Sequence, residues 1–346
     1  MALISLYRKE LTTCAFITVF VTLTTLQGCN NQKNEAKDLT PVTVGITASF
    51  LGEAATFTAK EHDFFNKNGL QVVFKQNTSG AISLRDLFSG EVDIAHVAET
   101  PVVYALLDTS YFAGKAPSFQ IFADMMYADE IQHIIARKDH GIIEPQDIKG
   151  KKVGIFRDTQ LDYFFDSFLL EHQISKDSVT FVNLDPASQI EAIVTGDVDL
   201  VVTWEPYATY IQEKLTEKAF QLNTKLTYST LWMTVTLNRY AENNPDVLVA
   251  YLQAIKEAQG YIEKHPEETQ HLLAQKTGVT IKAIKSVWNE INYSLSLSGR
   301  MLTLLDEQER WIGRNTTANS SEIDFKKIIN FKPMSTVYPE GITVIQ

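Results

Sequence analysis

Ser89-Gly-Glu-Val-Asp-Ile94 and Thr195-Gly-Asp-Val-Asp-Leu200 are nearly the same phrase written twice. A hydroxyl residue and a glycine end a helix, and an acidic turn leads into an apolar strand. Around the first copy, Val42-Thr-Val-Gly-Ile46 reads as a strand, and Gly52 to Asn68 as a helix stopped by Gly69. Leu70, Val72 and Phe74 alternate as a second strand. Asn77-Thr-Ser-Gly80 breaks the chain before a helical stripe of Ala81, Leu84, Leu87 and Phe88, and Val92 to Val97 is a third strand. Around the second copy the order repeats. Val153-Gly-Ile155 matches Val44-Gly-Ile46, a helix is expected over 158–172, Val179 to Leu184 alternates, and Asp185-Pro186 opens another helix. The offset of roughly 106 positions, which sets Glu205 on Glu99, marks a duplicated lobe and not a solenoid unit.

Strands alternating with helices predict parallel βαβ units. Two open parallel sheets each present the carboxyl ends of strands and the amino ends of helices, where ligands bind. There, free N–H groups and the helix dipole favour anions by about 0.3–1 kcal/mol per interaction. Two such edges facing each other form a cleft. From Ala241 to Ser298 the repeat gives way to helical stripes, read as packing elements on the first lobe, followed by a loop-rich tail to Ile345.

The 346 residues are 45% hydrophobic and 21% charged, enough for a sizeable core and for two domains or lobes. A net charge of −11 argues against broad contact with nucleic acid or an anionic membrane surface. Arg8 and Lys9 precede an uncharged apolar run that ends in Leu26-Gln27-Gly28-Cys29. That is the form of an export signal over 1–28, and the Cys after Leu-x-Gly resembles a bacterial lipobox. The alternative is an uncleaved anchor, for which a Thr-rich run is marginal. A polar tether over 29–41, lipid-attached through Cys29, is expected to follow. Loss of Cys14 and acylation of Cys29 leave no disulfide.

Phe64-Phe65-Asn-Lys-Asn-Gly69-Leu70-Gln-Val72, Ser89-Gly-Glu-Val-Asp-Ile-Ala95, Asp147-Ile-Lys-Gly-Lys-Lys-Val-Gly154 and Trp204-Glu-Pro-Tyr-Ala208 stand in one order. Together they resemble the sulfonate/nitrate/taurine group of type II solute-binding proteins, which deliver ligands to ABC importers and include binders of a thiamine-precursor aminopyrimidine. The resemblance implies an α/β periplasmic-binding-protein type II fold, with lobe 1 at 42–122 and 232–346 and lobe 2 at 123–231. Two crossovers near Phe122–Ala123 and Leu231–Thr234 would hinge the lobes, and extra C-terminal helices would lie on the first. It also implies an exported monomer, periplasmic or at the cell surface, that partners a permease and its ATPase. No cofactor or metal is expected. A membrane sensor fed by the same closed form is the alternative role.

In such a fold the first-lobe candidates are Thr47, Ser49 and Phe50, then Ser79 and Gly80, then Glu99 and Thr100. The second lobe offers Arg157, Asp158, Thr159, Asp185, Trp204 and Glu205, and Trp232 sits by the second crossover. Each has a plainer reading. Ser79, Thr100, Asp158, Thr159 and Asp185 suit helix caps, Glu99 and Glu205 suit helix dipoles, Trp204 and Phe50 suit core, and Arg157 suits a solvated loop. Glu99 and Glu205 in the cleft would repel a bare anion. They favour a taurine-like zwitterion, a cation or an aminopyrimidine over nitrate. An enzyme finds little support: no phosphate loop, nucleophile elbow or His-Glu-x-x-His is present. The seven histidines lack metal-ligand spacing. Glu99 and Glu205 as an acid–base pair is the one catalytic option, without a nucleophile; His96 reads as a packed strand residue.

Overall fold

Both copies of the repeat form the same strand arrangement in the computed structural model, which describes residues 39–107, 116–225, 228–315 and 323–344. The first, six-stranded sheet runs β11-β4-β10-β3-β1-β2, β11 being the short strand Ile291–Asn292, and the second, five-stranded, runs β7-β6-β8-β5-β9. In the first, β1 (Thr40–Thr47) lies parallel between β2 (Leu70–Asn77) and β3 (Ile94–Val97). In the second, β6 (Lys152–Ile155) lies parallel between β7 (Thr180–Asn183) and β8 (Leu200–Trp204). A fourth strand then joins antiparallel: β10 (Ser229–Leu237) beside β3, and β5 (Gln132–Arg137) beside β8.

The helices used below are α1 (Ala54–Glu61), α2 (Gly80–Ser89), α3 (Glu99–Leu107), α4 (Gln160–Glu171) and α5 (Pro186–Thr195). They continue with α6 (Tyr207–Leu215), α7 (Pro245–Lys264), α8 (Pro266–Thr277) and α9 (Gly299–Asn315). The repeated phrase works alike in both copies. Gly90 and Gly196 end α2 and α5 at φ 82° and 87°, the left-handed region glycine enters without a Cβ clash. Asp93 Oδ2 then accepts the Thr43 amide at 2.8 Å, and Asp199 Oδ2 accepts the Lys152 amide at 2.8 Å. Each aspartate thus ties the start of a third strand to the start of the first.

Each antiparallel strand is reached from the other sheet. β4 (Phe119–Asp129) and β10 stay paired from Phe119–Leu237 to Asp129–Ser229. The expected crossovers at Phe122–Ala123 and Leu231–Thr234 therefore fall inside the first sheet. The chain instead passes between sheets at Glu130–Ile131 and between β9 (Ala219–Leu222) and β10. A long two-strand ladder resists bending, which moves the passages to its end.

One hydrophobic cluster runs under both sheets, and a smaller one (Ile135, Ile193, Val198, Val201, Ala208, Ile211, Leu215) covers the far face of the second. From Leu39 onward the chain is one compact unit. α7 packs on α1 and α8 also touches α1, as expected of cover helices. The tail is not loop-rich throughout. Met301, Leu304, Leu305, Gln308 and Ile312 are buried at helical spacing in α9, which packs on α3. β1 also begins at Thr40, so the last two tether positions are strand. The signal, the lipobox and Cys29 lie outside the described residues.

A candidate ligand cleft between the two sheets

At the carboxyl ends of both sheets lies a narrow, nearly closed cavity with about 20 Å³ of free space. From the first half it is lined by Thr47, Phe50, Ser79, Gly80, Ala81, Ala98, Pro101 and Trp232, and from the second by Thr159, Gln160 and Trp204. Larger, shallower depressions flank α9, away from the strand ends.

Local structure explains each wall. Thr47 ends β1, and its buried hydroxyl makes no hydrogen bond among the described residues. Ser79 caps α2 by accepting the Ile82 amide at 3.4 Å. Thr159 caps α4, accepting the Leu161 amide at 3.3 Å and donating to the Phe156 carbonyl at 2.8 Å. The first amides of both helices, Gly80, Ala81 and Gln160, have no intrahelical acceptor, as at any helix start. Gly80 is required by space: a Cβ there would meet Val97 Cα at 2.7 Å and Trp232 Cη2 at 3.0 Å.

Trp232 owes its aim to an irregularity. The β4–β10 register shifts between Leu231 and Met233, as at a bulge that redirects a side chain. Its amide leaves the ladder to donate to Asp124 Oδ1 at 2.9 Å, and its ring meets Phe50 at 4.5 Å between centroids. Burial pushes Asp124 well above the usual carboxylate range, against its bonds from Trp232, Met126 and Ser296.

The other candidates point elsewhere. Glu99 is fully buried, but it accepts the Tyr228 hydroxyl, the Leu231 amide at 3.1 Å and the Gln308 amide at 3.3 Å. Burial raises its carboxyl, with those donors opposing. Glu205 contacts His133 Nε2 at 3.2 Å and accepts the Thr209 amide at 3.2 Å. Arg157 is turned to Asp162 Oδ1 at 2.9 Å and stacks over Phe181. Asp158 is exposed and donates its amide to Asp162 Oδ2 at 2.6 Å. Asp185 caps α5 through Ala187, Ser188 and the Ser188 hydroxyl. Ser49, after β1, shares a hydrogen bond with Tyr207 of α6 and does not line the cavity. Thr100 is buried beside the lining Pro101 without lining the cavity itself.

No Asp, Glu, Lys, Arg or His is among the lining residues. The carboxylates behind the expectation of an amine-bearing ligand are engaged by their own chain. The arrangement offers hydroxyls, a glutamine amide, unpaired backbone donors and three aromatic faces. Sequence reading missed Gln160, Ala81, Ala98 and Pro101, which only the fold brings to the strand ends. It also missed Glu53, which accepts the Trp232 indole N–H at 3.0 Å from behind the wall.

Residues 53–269 match the NMT1/THI5-like family model. The chain belongs to that family. Among its relatives, a putative aliphatic sulfonates-binding protein of Bacillus subtilis is 22% identical over 309 residues, 88% of this chain and 90% of that one. The taurine-binding periplasmic protein of Escherichia coli is 26% identical over 247 residues, 69% of this chain and 74% of that one. Among solved structures, the alkanesulfonate-binding protein of Xanthomonas axonopodis pv. citri, bound to MOPS, superposes with a TM-score of 0.72. It is 16% identical and the match covers 85% of this chain and 99% of that one. The family member described here therefore has the periplasmic-binding-protein fold of that relative.

Proposed function

We propose that this family member captures a small organic sulfonate with a short apolar body and passes it to an ABC importer. The observation that carries the reading is the cavity itself: two helix amino ends, from different sheets, open onto one neutral space walled by Trp204, Trp232 and Phe50. Unpaired amides and the Thr47 hydroxyl suit the spread charge of a sulfonate. The aromatic walls suit its hydrocarbon part, and no carboxylate stands in the lining to pair with an ammonium group. The sulfonate-binding relative, aligned over most of the chain, supports the same class. A ligand touching both halves favours the form in which they meet, so binding would close the cleft by population shift. Export through 1–28 and attachment through Cys29 complete the proposal; the periplasmic taurine-binding relative supports the exported part.

Isothermal calorimetry on the purified protein tests it with butane-1-sulfonate, taurine, nitrate and an aminopyrimidine. The expected outcome is micromolar affinity for the alkanesulfonate, about −8.2 kcal/mol, with taurine at least tenfold weaker. Tight binding of taurine, nitrate or the pyrimidine, with the alkanesulfonate inert, would overturn the assignment.

A further inference from the structure

Behind the cleft wall lies a chain of buried polar groups that does not itself line the cavity. Glu53, His96 and Tyr251 each have no exposed surface. Glu53 Oε1 accepts the Trp232 indole N–H at 3.0 Å and the Thr47 amide at 3.1 Å. Glu53 Oε2 lies 2.8 Å from His96 Nδ1, and His96 Nε2 lies 2.8 Å from the Tyr251 hydroxyl. These groups come from the turn before α1, the end of β1, β3, β10 and α7, so one carboxylate ties five elements together.

The proton positions follow from the donors available. An indole and a backbone amide can only donate, so Oε1 is an acceptor twice over. Burial holds the Tyr251 phenol well above its ordinary value, which keeps it protonated and able to donate to Nε2. His96 then carries its proton on Nδ1 and donates it to Glu53 Oε2. A carboxylate with three donors, buried behind apolar neighbours, holds its partners in fixed directions. Two of those partners, Trp232 and Thr47, are cavity walls.

We propose that Glu53, held by His96 and Tyr251, is a positioning residue for the cleft: it fixes the Trp232 indole and the Thr47 strand end without contacting ligand. Only its effect on affinity rests on the sulfonate reading; the geometry it sets is testable without any ligand.

The test uses the full-length protein with 15N-labelled tryptophan and histidine, the indole signal of Trp232 being assigned with Trp232→Phe. In Glu53→Leu the Trp232 indole N–H should lose its downfield position and exchange with solvent at least tenfold faster, with the Trp288 and Trp311 signals unmoved. Glu53→Gln is the conservative rescue. Its amide oxygen still accepts from Trp232, while its NH2 now donates to His96 Nδ1. The Trp232 signal should be largely kept and the His96 proton should move to Nε2. An unchanged Trp232 signal in folded Glu53→Leu overturns the proposal. If the leucine variant does not fold, an unaltered His96 tautomer in Glu53→Gln overturns it. Titration with butane-1-sulfonate adds the consequence: affinity at least tenfold weaker in Glu53→Leu, and within threefold of native in Glu53→Gln. A native protein that binds no sulfonate would refute the ligand assignment and leave the resonance test decisive.

Discussion

The two halves share a frame and differ at its edge. Both order three parallel strands with the first in the middle, both end a helix on a left-handed glycine, and both brace the third strand with an aspartate. At the strand ends the likeness stops. The first half supplies Thr47, Phe50, Ser79, Gly80 and Trp232 to the cavity, whereas the second supplies a cap, a glutamine and Trp204. The position after strand two makes the contrast clear: Ser79 and its counterpart Asp185 both cap their helices, but only Ser79 also lines the cavity. Frame residues are fixed by the sheet they belong to. Edge residues are free to diverge, and here one half has become the floor and the other the cover.

The largest effect is expected at that floor. Gly80→Val places a Cβ against Val97 backbone and drives its branches toward Trp232, so ligand binding should be lost by more than about a hundredfold with a stability cost of about 1–3 kcal/mol. Calorimetry and urea unfolding read the two effects. Binding within a few-fold of native would show that the floor is not where ligand sits.

The paired glutamates come next. Glu99→Ala leaves the Leu231 amide, Tyr228 and Gln308 buried without their acceptor and should cost about 3 kcal/mol. Glu205→Ala, at a rim with fewer donors, should cost about 1 kcal/mol. Equal costs in urea melts would erase the distinction between the halves. The frame predicts the opposite pattern: Asp93→Ala and Asp199→Ala should each cost about 1–2 kcal/mol and agree with each other.

Asp162, on the cover side, gives a pH signature. Burial pushes its carboxyl up to about 6, with Arg157 opposing. A group whose folded value lies above its unfolded value of about 3.9 binds more protons in the native state between the two. Its stability contribution is therefore full below pH 4 and lost as pH rises through 6, by about 3 kcal/mol. Asp162→Asn should flatten that fall in urea midpoints between pH 4 and 6.5; an unchanged slope would assign it to another group. Smallest of all, Asp185→Ala should cost about 1 kcal/mol as a lost cap and leave affinity unaltered.

The frame was legible because it is local. Ser89–Ile94 and Thr195–Leu200 announce a glycine stop and a strand start within a few residues, and the alternation around them gives the parallel order. The edge was legible in part. Thr47, Phe50, Ser79, Gly80, Thr159, Trp204 and Trp232 line the cavity, as position along a βαβ unit leads one to expect. Glu99 and Glu205 are not in the lining, because other parts of the chain engage their side chains. Tyr228 and Gln308 meet Glu99 only after β10 and α9 have packed. Arg157 is a ligand candidate by position, but Asp162 in the first turn of α4 pairs with it. The helix α9 was overlooked since Gln308 and Glu309, both buried, interrupt its apolar stripe. Glu53 gave no signal because an acid at a helix start has an ordinary use.

A crystal structure with butane-1-sulfonate tests the account most directly. The sulfonate oxygens are expected at the amino ends of α2 and α4, with the alkyl chain between Trp204 and Trp232 and neither Glu99 nor Glu205 in contact. Density for the ligand beside α9, or in the cleft against either glutamate, would contradict it.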